Sequence, residues 1–292
     1  MSASAMRRSS GHGGAAAAAA AAAGSILSGL VFARLSHPSN LFGTTSLAIA
    51  VSMAVFVATR HAQLVRHRRV VGWPERRTSV PAVAPDYCLF VLGSGGHTKE
   101  MLMMMDDGFC DLQSFHRRYL LSSGDRVSSH QLQDYEARLT SLCRAEGTEP
   151  GSYDVHTVMR ARRVYQSLLT TPLTAIACVL SVLSVLLSPP PANATGRQLP
   201  YPTLVFSNGP GTGFCVALAA HLLKMFCVVP ENVMRFVYIE SWARISTLSL
   251  TGRLLLCSGM ADALYVQHKK VAAKYGLPCA GEMVLNSRRL DE

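Results

Sequence analysis

The chain has 292 residues, a formal net charge of +10 and 49% apolar side chains, which is enough for a packed core and excludes a wholly disordered polyelectrolyte. Its basicity is local: residues 1–80 carry nine arginines and one acid, Glu75, whereas residues 81–292 carry 19 basic and 17 acidic side chains. A nucleic-acid face on the folded part is therefore unsupported, and a basic cluster beside an apolar segment points instead to a membrane surface.

Residues 1–40 form a low-complexity extension that includes the nine alanines Ala15–Ala23. Leu41–Ala58 follows, with no charged side chain. As a helix of that length it would rise about 27 Å, the thickness of a bilayer's hydrocarbon core. Arg60, Arg66, Arg68, Arg69, Arg76 and Arg77 come after it, and only Arg34 lies close before it. By the positive-inside rule the C-terminal part then faces the cytosol. A signal peptide would carry its basic residues before the apolar run. A transit peptide fits the acid-free composition of residues 1–74, but the uncharged stretch is too long and too apolar for one. Pairing Ala15–Ala33 with Leu41–Ala58 as a helical hairpin is the weaker alternative, because polyalanine is only marginally apolar. The expectation is one span at 41–58, then a basic linker at 59–85 that ends near Pro81 and Pro85.

From residue 86 to 292 the pattern alternates as βαβ units do. Strands are expected at Tyr87–Leu92, Arg118–Ser122, Tyr153–Val158, Thr203–Phe206, Arg235–Ile239 and Ala263–Gln267. Helices are expected at Lys99–Met105, Ser129–Arg144, Val164–Leu187, Gly213–Phe226, Thr247–Ser258 and Lys269–Tyr275. The strands read as apolar throughout, as when both sheet faces are covered. The fold class is thus α/β, a Rossmann-like doubly wound sheet whose ligand crevice lies at the C-terminal strand ends. Val164–Leu187, preceded by Arg160, Arg162 and Arg163, is a helix covering the sheet, one lying in a membrane interface or, against the βαβ alternation, a second span. The proline-rich stretch from Pro189 to Pro202 reads as a loop insertion. Its sequon, Asn193-Ala194-Thr195, would stay unmodified on a cytosolic face. None of the eight cysteines has CxxC spacing, so buried reduced thiols are expected rather than zinc or disulfides.

Two glycine loops carry the chemistry: Gly93-Ser94-Gly95-Gly96-His97-Thr98 and Asn208-Gly209-Pro210-Gly211-Thr212-Gly213. Each lies between an apolar run and a helix-like stretch, the arrangement that offers backbone N–H groups to an anion. A dinucleotide fingerprint needs a third glycine where Thr98 stands, although Asp125 near the second strand end keeps that reading open. Neither loop continues as Gly-Lys-Ser/Thr, so a Walker A loop fails. His97 sits where the ligand should be, for a ligand or proton-transfer role or a structural hydrogen bond. Thr98 could be only an N-cap.

At this point the residues resemble a family. Gly93-Ser94-Gly95-Gly96-His97-Thr98-x-Glu100, Asn208–Gly213, Tyr238-Ile239-Glu240-Ser241-x-Ala243-Arg244 and Thr247-Leu248-Ser249-Leu250-Thr251-Gly252 resemble, in the same order, motifs of the Alg14 family. That family supplies the membrane-anchor subunit of the dolichol-pathway UDP-N-acetylglucosamine transferase. A more distant similarity is to the N-terminal half of MurG. The resemblance implies the acceptor side of a GT-B glycosyltransferase split over two chains, with a soluble UDP-GlcNAc-binding partner of the Alg13 family. Together they would add the second GlcNAc to dolichyl-pyrophosphate-GlcNAc on the cytosolic face of the endoplasmic reticulum, as part of N-linked glycan precursor synthesis. One Rossmann-like domain where a complete enzyme needs two agrees with that split, and this chain is expected to be inactive alone.

The resemblance also implies the roles. Gly93, Ser94, Gly95, Gly96 and Thr98 would hold the acceptor pyrophosphate, and Asn208, Gly209, Gly211, Thr212 and Gly213 would complete the crevice floor. His97 is the first candidate for the group nearest the attacking hydroxyl. Glu240 is the second, as base or as the carboxylate that orients His97, against a purely structural hydrogen bond at a helix entry. No metal and no cofactor are expected. The rival classes are a non-catalytic membrane scaffold that recruits a soluble transferase, and a membrane-tethered dinucleotide oxidoreductase.

Overall fold

The computed structural model describes residues 41–71, 87–106, 116–162, 165–167, 169–195 and 199–281. The extension at 1–40, residues 72–86 of the expected linker, Arg163 and Val164 lie outside the described residues. The chain divides into two units, Met1–Gln63 and Leu64–Glu292.

In the first unit the described residues belong to helix α1 (Leu41–Val71), and their apolar side chains, such as Leu47, Ile49 and Met53, are exposed. One stretch of α1, Gly43–Arg69, is long and apolar enough to cross a membrane. The helix does not stop at Ala58. Thr59–Val71 holds no glycine or proline, and the first helix breakers are Gly72 and Pro74, so the first part of the segment read as a linker is helical. Residues from Leu64 onward belong to the second unit, where Leu64 is buried and Val65 lies against Gly259.

The second unit is built on six parallel strands in the order β3-β2-β1-β4-β5-β6. They are β1 (Tyr87–Val91), β2 (His116–Ser122), β3 (Tyr153–Val158), β4 (Leu204–Ser207), β5 (Arg235–Ile239) and β6 (Ala263–Tyr265). Between and after them run α2 (Gly96–Met104), α3 (Arg126–Glu146), α4 (Thr171–Leu187), α5 (Thr212–Met225), α6 (Leu250–Ser258) and α7 (Lys269–Tyr275). Successive strand residues point to opposite faces, and each face has its own core. Leu89 and Val91 pack with Cys178, Val182, Val216 and Leu255 of α4, α5 and α6. Cys88 and Phe90 pack with Met101, Leu102, Leu132 and Tyr135 of α2 and α3, and Phe90 stacks on Phe206 with ring centroids 5.3 Å apart. Helices on both faces of a parallel sheet make the doubly wound architecture.

Element bounds shift by up to three residues elsewhere in the second unit, as at the starts of α3 and α6, and three further departures bear on packing. β2 begins two residues earlier, and its Arg117 and Arg118 are fully buried; they pair with Glu136 at 2.8 Å and Asp154 at 2.7 Å. β3 is an edge strand whose Tyr153, Val155 and Thr157 are exposed, so it alternates instead of being apolar throughout. Helix α4 starts at Thr171, with Pro172 in its first turn, where the missing N–H removes no helix hydrogen bond. One face of α4 enters the core through Cys178, Val182 and Leu186. Leu173, Ile176 and Leu180 on the other face are 70%, 58% and 60% exposed.

Candidate functional site

Both glycine loops leave the sheet at its centre. β1 and β4 are neighbours on which the chain winds in opposite directions, and Val91 pairs with Ser207, so the loops emerge side by side at the topological switch point. They touch there. A Cβ on Gly209 would lie 3.1 Å from the Gly93 Cα, and one on Gly93 would lie 2.7 Å from the His97 Cβ, so both positions need glycine for close approach. Asn208 Nδ2 donates to the His97 carbonyl at 2.8 Å and ties the second loop to the first. Gly95 has φ +52°, which turns the chain into α2.

A third segment braces this turn. Ser128 Oγ, in the first turn of α3, accepts from the Gly95 N–H at 3.1 Å and donates to the Gly93 carbonyl at 2.9 Å. The Thr98 hydroxyl also reaches the Gly93 carbonyl and lies 2.8 Å from Ser128 Oγ. Thr98 is fully buried, so its side chain staples the loop and does not face the crevice. The Thr212 hydroxyl is likewise turned inward, 3.0 Å from Ser122 Oγ, and Gly213 packs against Ser207 Oγ. The Gly211 N–H donates to Thr251 Oγ1 at 3.3 Å. Ser94 and Gly96 are exposed at the rim, and His97 is partly exposed between them and the buried wall. Asp125, which a dinucleotide reading would set against a ribose, caps α3 by accepting the Ser128 N–H at 3.1 Å.

The carboxylate facing His97 is Glu100, three residues on along α2. His97 Nδ1 lies 3.7 Å from Glu100 Oε2. Positions i and i+3 share a helix face, so the pairing follows from α2 itself. Glu100 is buried and held from the far side of the sheet. Ser241 Oγ donates to it at 2.9 Å, the Trp242 N–H donates to Oε1, and Gln267 Nε2 donates to Oε1 at 2.8 Å. Burial alone would raise its pKa, but His97 and these three donors outweigh it and hold the carboxyl below the usual value. Glu100 is thus an ionised group whose Oε1 is held by Trp242 and Gln267 and whose Oε2, held by Ser241, also faces the imidazole.

Glu240 has a different task. It is 1% exposed; its Oε2 accepts the Ser249 N–H at 2.9 Å and Ser249 Oγ at 3.0 Å, and its Oε1 accepts the Ser241 N–H at 3.2 Å. Ser249 is in turn the N-cap of α6, accepting the Gly252 N–H at 3.0 Å. A carboxylate at a helix N-terminus is stabilised by the orphan N–H groups and the helix dipole. The carboxylate beside His97 is thus Glu100, and the contacts of Glu240 are at the entry to α6.

Residues 88–279 match the family model described as "Oligosaccharide biosynthesis protein Alg14 like". The chain belongs to the Alg14 family. It is 30% identical over 236 residues to the UDP-N-acetylglucosamine transferase subunit alg14 of Schizosaccharomyces pombe, covering 81% of this chain and 95% of that one. The Aspergillus fumigatus subunit of the same name is 32% identical over 197 residues (54% and 86% of the two chains), and the mouse subunit is 31% identical over 190 residues (64% and 77%). A crystal structure of Acinetobacter baumannii MurG gives a loose overlay, with TM-score 0.37 and 14% identity over 68% of this chain and 44% of that one.

In this Alg14-family chain the crevice also gathers buried polar atoms that lack a partner. Among the described residues Asn208 Oδ1, Ser207 Oγ and Gln267 Oε1 are of this kind, and His97 Nδ1 has only the Glu100 carboxylate at 3.7 Å, beyond hydrogen-bond distance. Such atoms are rare in native proteins and mark where a ligand or water belongs. Ser128, Glu100 and Gln267 were not singled out as site residues from the sequence. Glu100 carried a signal, its i+3 spacing from His97. Gln267 and Ser128 carried none, because only the parallel sheet brings them to the first loop. Arg160 and Arg162 bond the backbone carbonyls of Ser123 and Gln166 at 2.8 Å and 2.9 Å and so buttress local loops.

Proposed function

We propose that this chain is the acceptor-binding, membrane-anchoring subunit of a two-chain UDP-GlcNAc transferase. In this reading it adds the second GlcNAc to dolichyl-pyrophosphate-GlcNAc together with a soluble, donor-binding subunit of the Alg13 family. The observation that carries the reading is the pair of abutting glycine loops at the switch point, with His97 between an exposed rim and a fixed carboxylate. Family membership and the printed names of its relatives support the transferase class. Loop N–H groups within Gly93–Thr98 and Asn208–Gly213, apart from those of Gly95, His97 and Gly211 that are engaged within the fold, hold the pyrophosphate, as helix N-termini hold anions. Thr98, Asn208 and Thr212 act through the backbone they fix, since their side chains face inward.

In transfer, the acceptor hydroxyl attacks the anomeric carbon of the donor sugar, the bond to UDP breaks, and the hydroxyl proton passes to His97 Nε2. Glu100 keeps the ring oriented through Nδ1 and stabilises the imidazolium that forms. α1 spans the endoplasmic reticulum membrane once, with the catalytic unit in the cytosol, supported by the basic residues after its apolar run. The exposed face of α4 lies on a membrane surface, supported by its row of leucine and isoleucine.

Reconstitution tests the whole reading. The full chain in vesicles with UDP-GlcNAc and acceptor lipid should transfer nothing until the soluble partner is added. His97→Ala should keep partner recruitment and lose transfer. Full transfer by the chain alone, or by the His97→Ala complex, would overturn it.

A further inference from the structure

The turn after β5 leaves an indole in solvent. Trp242 is 38% exposed, although Glu240 and Ser241 just before it are buried. Its backbone is pinned at both ends. The Trp242 N–H donates to Glu100 Oε1, and the Trp242 carbonyl accepts from His268 Nε2 at 2.6 Å. The His268 imidazole also lies against the indole, with ring centroids 5.8 Å apart and planes tilted by 42°. His268 is the N-cap of α7, beyond the end of β6, and β5 and β6 are neighbours in the sheet. The two rings therefore bridge adjacent strand ends.

This pair borders the crevice. Glu100, which takes the Trp242 N–H on Oε1, presents Oε2 to His97 Nδ1 at 3.7 Å, so a single carboxylate separates the Trp242 backbone from the imidazole. Gln267, next to His268, gives Nε2 to Glu100 Oε1 at 2.8 Å and to the Glu240 carbonyl at 3.1 Å. Its Oε1 is buried with no hydrogen-bond partner, an acceptor that a water or a ligand hydroxyl would satisfy. An indole left in solvent forgoes the burial that stabilises aromatic side chains, and one set against a second ring has already lost rotamer freedom. A ligand that covers its face recovers the first without incurring the second again.

We propose that Trp242, backed by His268, is the platform on which a pyranose ring stacks. A pyranose has a face of C–H groups and a rim of hydroxyls; an indole has a flat apolar face and one N–H donor at its edge. The two match face to face and rim to rim. That the sugar is N-acetylglucosamine rests on the transferase reading, and the ring is either the acceptor's or the incoming donor's.

The chain has two tryptophans, Trp73 and Trp242, so one label reports on the platform. The full chain is labelled with 5-fluorotryptophan, placed in phosphatidylcholine nanodiscs and read by fluorine NMR, with Trp73→Phe assigning the two resonances. The acceptor arm titrates a short-chain polyprenyl-pyrophosphate-GlcNAc against the same pyrophosphate lipid without the sugar. The donor arm titrates UDP-GlcNAc against UDP with the unlabelled soluble subunit present. A saturable shift of the Trp242 resonance that needs the sugar upholds the proposal, and the arm in which it occurs assigns the ring. Trp242→Leu leaves both backbone contacts available and should weaken the sugar-bearing probe by about threefold to tenfold, the worth of one ring-face contact, without weakening the sugarless one. Trp242→Phe keeps a flat ring and should recover most of that loss. If Trp242→Leu fails to fold, the resonance of the unsubstituted chain decides alone. A Trp242 resonance unmoved in both arms, equal shifts with and without the sugar, or unchanged sugar affinity in Trp242→Leu overturns the proposal. So does loss of the soluble subunit from Trp242→Leu with an unmoved resonance, which would make Trp242 a docking residue instead. A sugar-dependent shift without transfer would sink the transferase reading and leave the platform standing; transfer without a shift would do the reverse.

Discussion

Glu100→Gln isolates the part of the site that the fold builds with most effort. The substitution keeps the shape of the side chain and removes the charge that lies 3.7 Å from His97 Nδ1. Two unit charges about 4 Å apart attract by about 4 kcal/mol at the effective dielectric of a protein surface and by about 1 kcal/mol in water. The His97 side chain is 29% exposed, which places the pair between these limits. At about 1.36 kcal/mol per factor of ten, the imidazolium formed during transfer should lose stabilisation worth about fivefold to a thousandfold in rate. The assay is single-turnover transfer by the full chain reconstituted with its soluble partner, with folded fraction and partner co-purification measured alongside. His97→Ala should slow transfer by about 10²–10⁴-fold. Because Glu100 acts through the ring, the double variant should be no slower than His97→Ala alone. Multiplicative losses in the double variant, or a wild-type rate in Glu100→Gln, would refute the reasoning.

Gly93→Ala places a methyl 2.7 Å from the His97 Cβ and 3.4 Å from the Gly209 Cα; transfer should fall sharply, and wild-type activity would show that the loops do not meet as described. Ser249→Ala removes the cap of α6 and should cost about 1 kcal/mol in urea unfolding while transfer per folded molecule is kept. Glu240→Gln should behave alike, and loss of transfer at unchanged stability would return Glu240 to the chemistry. The depressed Glu100 carboxyl contributes stability that is present above the ordinary value of 4.5 and is lost as pH falls through its lower folded value. The stability gap between wild type and Glu100→Gln should therefore narrow below pH 4.5, and a gap constant through the acid range would exclude the assigned charge state. A lipid-borne photoreactive group should label α4 in the full chain, and Leu173→Glu with Leu180→Glu should abolish that labelling; equal labelling of the variant would take α4 off the membrane.

Much of the fold was legible because its signals are local. Strands buried on both faces announce themselves as apolar runs, and the glycine loops mark where β1 and β4 end. The departures have local physical causes as well. Pro172 fits a first helical turn, and the stretch from Thr59 to Val71 contains nothing to stop a helix. The site was half legible. His97 and both loops could be found from spacing, and Glu100 could have been, three residues on along the same helix. Glu240 was read two ways, as a proton-handling acid or as a structural hydrogen bond at a helix entry, because a sequence shows an acid at a strand end without its surroundings, here the N–H groups of Ser249 and Ser241. Gln267 and Ser128 join the first loop only through the pairing order of the sheet, which no single segment encodes.

The grip on Glu100 has a consequence for how the protein matures. Its holders come from the turns after β5 and β6, 141 to 167 residues downstream. Such distant contacts close late, since the intervening chain must be ordered first. During synthesis the first glycine loop is therefore made long before its carboxylate is clamped. A chain interrupted before Gln267 would carry His97 and both loops, yet hold Glu100 by Ser241 and Trp242 alone. The clamp on Glu100 is complete only when the turn after β6 is in place, which ties this candidate site to the folding of the C-terminal part of the sheet.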